Sequence, residues 1–121
     1  MNQKEAYDAG RSAGYDAAIY QDPADSLATA AYEGVYIGAP DQGDLLEAIE
    51  YLAFDGEQNA RQYAEFSYLA GDINSSGDRA EGLWEKYDEG VSVGITKGAR
   101  QLIKDLGPDG VAEILAAGPA P

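Results

Sequence analysis

Carboxylates are the chemistry this chain carries in quantity. It has 22 Asp and Glu against 8 Lys and Arg, and it has no His and no Cys. Without Cys there is no disulfide, no thiolate nucleophile and no thiolate metal ligand. Without His there is no imidazole base and no usual zinc or non-haem iron site. What remains is carboxylate acid–base work and oxygen ligation of Ca²⁺ or Mg²⁺. Carboxylate pairs have almost no specificity in a chain this acidic, and no GxxxxGK[ST] phosphate loop is present. No catalytic residue is assigned, and a non-enzymatic protein without cofactor is expected.

One stretch has metal-ligand spacing. In Asp72-Ile-Asn74-Ser-Ser76-Gly77-Asp78, oxygen side chains fall at positions one, three and five of an EF-hand loop, and glycine at six. The second half departs from that pattern. Arg79 stands where an aliphatic belongs, Leu83 replaces the bidentate Glu at position twelve, and Glu81 comes two residues early. The reading is therefore a polar interhelix loop, with no metal.

Acid distribution carries more information than acid count. Between Ser12 and Ala60 there are ten acids and no base: Asp16, Asp22, Asp25, Glu33, Asp41, Asp44, Glu47, Glu50, Asp55 and Glu57. Residues 1–60 hold a net charge of −10 of the chain's −14. Surfaces shaped only for solubility intersperse signs, because unbroken like charge repels itself. Tyr20, Tyr32, Tyr36 and Tyr51 lie among these acids, and Tyr36 and Tyr51 are the candidate desolvated anchors of a binding face. Core packing is expected for at least half of the four. A second acidic stripe, Asp78, Glu81, Glu85 and Asp88, precedes Lys97, Arg100 and Lys104. The helix macrodipole accounts for that order, acids early and bases late.

The elements that must position these residues are helices. No alternating Val/Ile/Thr run suggests a sheet. A first helix is expected from about Gln3 to Tyr20, and a second from Asp22-Pro23 to near Gly38. A third begins at Asp44, with Glu47 three residues on in a capping-box-like arrangement. Asp55-Gly56 is its expected break, and a further segment runs from Glu57 to Leu69. After a loop over 72–77, Asp78 opens the longest helix, which Gly107-Pro108 stops near Leu106. A short helix from Val111 to Ala117 and a flexible tail from about 118 complete the chain. The expected fold is a single all-α domain over residues 1–121, a compact bundle of four or five helices.

Leu, Ile, Val and Phe supply only 22 of 121 residues, but 21 Ala and nine Tyr can complete a thin core. An internal similarity shows how. Residues 5–14 (EAYDAGRSAG) match residues 85–94 (EKYDEGVSVG) at six of ten positions. Each copy places small residues four apart: Gly10 and Gly14, then Gly90, Gly94 and Gly98. Helical glycine costs about 1 kcal/mol relative to alanine. Close helix approach is the compensating reason, as in small-xxx-small packing. The two helices are expected to touch each other or a second copy of the chain.

The segment Ala64-Glu-Phe-Ser-Tyr-Leu-Ala-Gly-Asp-Ile-Asn74 and the later run from Leu83 to Ile95 resemble small acidic proteins of actinobacterial phages and plasmids. The likeness covers about a third of the chain and reaches a group without assigned chemistry. By composition only, the chain is similar to DNA-mimic anti-restriction and anti-CRISPR proteins, and no functional residue is carried over.

A chain this negative repels nucleic-acid phosphate and anionic membrane. It has no stretch of ~20 apolar residues and no basic and apolar leader, so a cytoplasmic location, the host cytoplasm for a phage protein, is expected. The leading functional expectation is an anti-defence inhibitor occupying a basic nucleic-acid-binding surface of a host protein. The alternative is a small helical structural or assembly protein, a virion component or self-associating adaptor that forms homo-oligomers through its glycine faces.

Overall fold

A computed structural model describes residues 1–63 and 68–118, with the side chains of 60–63 and 68 left aside. Five helices follow one another: α1 (Gln3–Ile19), α2 (Pro23–Tyr32), α3 (Gln42–Tyr63), α4 (Tyr68–Asn74) and α5 (Ala80–Ala117). A single 3₁₀ turn (Gly77–Arg79) leads into α5, and no strand occurs among the described residues. The fold is an all-α bundle.

The bundle is organised around one helix pair. A Cβ placed on Gly10 would meet the Tyr87 carbonyl, and one on Gly90 would meet the Tyr7 carbonyl. Gly14 stands in the same way against Val91, and Gly94 against Arg11. Gly98 continues the seam: its Cβ would lie 2.7 Å from the Tyr15 oxygen and 2.8 Å from the Ala18 Cβ. Residue numbers rise together along the two helices, so α1 and the first part of α5 run parallel. The offset of 80 between the repeats means that one contact is made twice with its roles exchanged. The pair therefore has a pseudo-two-fold relation, the self-complementarity of an isologous interface built within one chain. The glycine Cα–H groups face carbonyls across the seam, the geometry of helix-interface Cα–H···O contacts.

Parallel neighbours need a long connection, and residues 20–79 supply it. α3 returns antiparallel along α5: Glu57 meets Tyr87, while Glu47 and Tyr51 lie beside Ser92 and Thr96. Its apolar stripe seats Leu45, Ala48, Ile49 and Ala53 in the core with Leu27 of α2 and Val91, Ile95 and Ala99 of α5. A smaller cluster of Ala6, Ile73 and Leu83 closes the end where α4 packs.

Local signals set most helix ends. Asn2 and Glu5 form a capping box on α1, and Asp22 caps α2 with Pro23 following. Four boundaries differ from the sequence expectation. α2 stops at Tyr32 rather than near Gly38, because Gly34 adopts φ 77° and the amides of Gly34 and Val35 return to Ala31 and Ala30. α3 starts earlier, with Asp41 and Asp44 as the reciprocal box and Glu47 outside it. Asp55-Gly56 does not break α3, since Ala53 and Glu57 on either side are both buried against the bundle. Asp72-Ile73-Asn74 is the last turn of α4, drawn into helix by the fully buried Ile73. The break at Gly107 stands where the sequence puts it: φ 71° interrupts α5 ahead of Pro108. The segment from Glu57 to Leu69 crosses residues 64–67, and the tail beyond Gly118 likewise lies outside the described residues.

The seam makes its glycines irreplaceable while others are idle. Gly94→Ala should lower stability by about 1–3 kcal/mol through forced separation of the backbones. Gly56→Ala, with open space around its Cβ, should raise stability by up to about 1 kcal/mol. Thermal unfolding of the two variants, followed by circular dichroism, checks both signs.

Candidate functional site

The acids of the first half separate into distinct environments. Asp22 is a helix cap, accepting from the Ala24 amide at 3.0 Å. Asp41 and Asp44 are committed to each other's amides at 2.8 and 2.9 Å. Glu57 is 5% exposed and accepts from the Tyr87 hydroxyl at 3.2 Å, so it belongs to the interior and is removed from the binding face expected for it. Asp16 shares a shallow hollow with Arg11 and Lys97. The first turn of α3, at Gln42 and Gly43, faces Arg100 and Lys104. Asp25 is exposed in the first turn of α2. The acid run that is unbroken in sequence is thus interrupted in space by bases from α1 and α5.

A subset does converge. Glu47, Glu50, Tyr51 and Phe54 stand on one face of α3 and line a groove with Ser92, Ile95 and Thr96 of α5. The end of α2 brings Glu33 to Tyr51. A hydrogen bond to the Glu33 carboxylate, then its charge, and more weakly burial and the charge of Asp55, push the Tyr51 phenol pKa up. Tyr51 and Phe54 are 41% and 48% exposed, an open aromatic edge among carboxylates. Tyr36 has a different task. It is half-buried, donates to the Leu27 carbonyl at 3.1 Å, and straps the chain after α2 back onto that helix. Burial, then the charge of Asp44, raises its pKa. Tyr20 and Tyr32 are exposed. Core packing is expected for at least two of these four tyrosines, but only Tyr36 turns inward, and it is half-buried.

The groove does not end at α3. Ser92 also borders a second hollow lined by Glu81, Trp84, Glu85, Asp88 and Glu89. The stripe on α5 that the macrodipole explains is therefore continuous, across Ser92, with the acids of α3. Glu81, Glu85 and Glu89 are spaced four apart, and like charges at that spacing repel by a few tenths of a kcal/mol per pair. Lys86 pairs with Glu89 at 3.2 Å. Trp84 is half-buried at the floor: its Nε1 donates to Asn74 Oδ1 at 2.8 Å, and its ring meets Tyr87 edge-on at 5.4 Å. Sequence reasoning missed this half of the surface. Its spacing was visible; its junction with an antiparallel α3 was not.

The oxygens of the EF-hand-like stretch have local duties. Ser75 and Ser76 hydroxyls donate to the Asp72 carbonyl, and the Asp72 carboxylate lies 3.7 Å from the N-terminal amine. With Asn74 engaged by Trp84, they tie the α4–α5 corner to the start of the chain. Among the described residues no group of three or more His, Cys, Asp or Glu is placed to hold a metal ion, and no helix is long and apolar enough to cross a membrane.

The chain matches no protein family, and neither curated proteins nor solved structures include a significant match. Function has to be argued from this surface.

Glu33→Gln should return the Tyr51 phenol toward the ordinary tyrosine pKa of about 10. Phenolate absorbance in an alkaline titration, with Tyr51→Phe as the subtraction, reads the shift. Because the raised value favours the protonated folded form, the stability Glu33 contributes is complete below the unfolded tyrosine pKa. It is lost as pH rises through the folded one.

Proposed function

We propose that this chain is a non-enzymatic acidic protein that occupies a basic nucleic-acid-binding surface of another protein, a DNA mimic of the anti-defence kind carried by phages and mobile elements. The observation that carries this reading is the strip joined across Ser92. There, carboxylates from α3 and α5 flank Tyr51, Phe54 and Trp84 on a rigid helical body.

Successive carboxylates on one helix face lie about 5–6 Å apart. The α3 acids Glu47 and Glu50 lie level with Ser92 and Thr96, so the two rows follow one another along the strip past Ser92. A basic cleft meets these rows as it would meet phosphates, and long-range attraction speeds encounter. Fixed helices hold the charges before binding, so little ordering is left to oppose association. The aromatic floor adds apolar contact that charge alone does not give.

The assembly reading relied on Gly10, Gly14, Gly90 and Gly94 as faces for another copy. Those faces are occupied within the chain, against Tyr87, Val91, Tyr7 and Arg11, which favours the inhibitor reading.

The test must spare the caps, because neutralising Asp22, Asp41 or Asp44 would cost helix stability. Glu47→Gln/Glu50→Gln/Glu85→Gln in one chain removes strip charge without touching a cap. Displacement of labelled duplex DNA is measured from a nuclease, a methyltransferase and a polymerase with basic clefts. The native chain should displace DNA from at least one target, less well as salt rises, and the triple variant should lose at least about tenfold in potency. Displacement unaffected by the three changes in a folded variant would sink the assignment of the strip.

A further inference from the structure

We infer that the hollow between α3 and α5 at Tyr51 and Phe54 receives one arginine side chain of the partner, its guanidinium against the rings and its N–H groups turned to the carboxylates of Glu47 and Glu50. This rests on the reading of the strip as a docking surface and names the side chain that the hollow takes.

The pattern along α3 brings two chemistries together. Glu47, Glu50, Tyr51 and Phe54 stand at i, i+3, i+4 and i+7 on one helix face, and all four line the hollow. Residues at those spacings are neighbours, about 5–6 Å apart at Cβ, so each ring has a carboxylate one turn before it. The α5 side carries no charge: it offers the buried Ile95 and the hydroxyls of Ser92 and Thr96. One acidic wall beside two exposed rings is complementary to a single cation that also needs an apolar surface. At about 320 Å³ the hollow is small. Ligand cavities begin at about 300 Å³, so it suits one side chain rather than a whole helix.

The chain supplies no cation of its own there. Among the described residues no base lines the hollow, and neither Glu47 nor Glu50 has an ion pair. Arg100 and Lys104 stand by the first turn of α3, and Lys97 stands by Arg11 of α1. Tyr51, by contrast, is already held. Its hydroxyl bonds to the Glu33 carboxylate, which sets the ring as a wall before a partner arrives and leaves less to be ordered on binding.

Arginine fits this wall better than lysine. A flat guanidinium stacks on an aromatic face while its edge still donates to carboxylates, whereas an ammonium is a compact charge held more strongly by water. The arginine stem lies along apolar surface, which Ile95 provides. A guanidinium is also the group that grips phosphate through paired hydrogen bonds. Holding it here withholds it from nucleic acid.

The test titrates the full isotope-labelled chain with capped Gly-Arg-Gly, Gly-Lys-Gly and Gly-citrulline-Gly, and reads the amide shifts of Phe54, Ser92 and Thr96. The arginine peptide should bind at least about tenfold tighter than its uncharged citrulline isostere, and about threefold tighter than the lysine peptide. Phe54→Leu keeps apolar bulk but removes the ring face, and should weaken arginine binding at least about threefold. Phe54→Tyr should leave it unchanged. Glu50→Gln should weaken it by a similar factor, while Glu85→Gln, in the neighbouring hollow, should not. Equal binding of the arginine peptide and either of the other two overturns the inference. So does equal weakening by Glu50→Gln and Glu85→Gln with indifference to Phe54→Leu in chains of native circular dichroism, the signature of diffuse charge attraction. The DNA-displacement assay separates the two proposals. Displacement without arginine preference removes the arginine site and keeps the docking reading. Arginine preference without displacement from any target keeps the site and removes the docking reading.

Discussion

Two helix backbones in near contact, with glycine in place of side chains, set the terms for everything else in this protein. The seam between α1 and α5 excludes a Cβ at Gly10, Gly14, Gly90 and Gly94 on steric grounds alone. Each glycine costs helix stability, and dispersion and Cα–H···O contacts along the seam offset that cost. Because the pair is parallel, the intervening chain must travel back. That return places α3 antiparallel against α5 and Glu47 beside Ser92. The acidic strip is a consequence of the seam, although no strip residue takes part in it.

A thin core follows from the same arrangement. Close backbones leave little space between α1 and α5 for large side chains, and alanine serves at Ala6 and Ala18. Leucine and isoleucine are spent where α2, α3 and α4 meet the pair, at Leu27, Ile49 and Ile73. Aromatic residues are left over for other work. Tyr87 closes over Glu57, Tyr36 straps the α2–α3 connection, and Tyr51 and Phe54 remain at the surface.

How far the site was legible depended on whether its signal was local. Asp22 as a cap could be read from Asp22-Pro23, a matter of adjacent residues. Glu57 could not be read as interior. It sits in the same acidic run as Asp55, and only the approach of Tyr87 from α5 gives its carboxylate a buried partner. Asp16 carried no mark distinguishing it from Glu47 either. One lies near Arg11 and Lys97 and the other near Tyr51 because of where α1 and α3 place them. The stripe from Glu81 to Asp88 had a sufficient local explanation in the macrodipole, and for that reason its adjacency to the α3 groove at Ser92 went unseen.

Sequence alone determined most of the helices, the Asp22 cap, the stop at Gly107 and the repeat that makes α1 and α5 alike. These depend on propensity, capping hydrogen bonds and periodicity, whose range is a few residues. Only the tertiary structure decided that the two repeats pair with each other, in parallel. It also decided that α3 runs unbroken through Asp55-Gly56, and that acids from two distant segments meet across Ser92. Those outcomes depend on which faces are buried together, and burial is a property of the packed chain rather than of any segment in it.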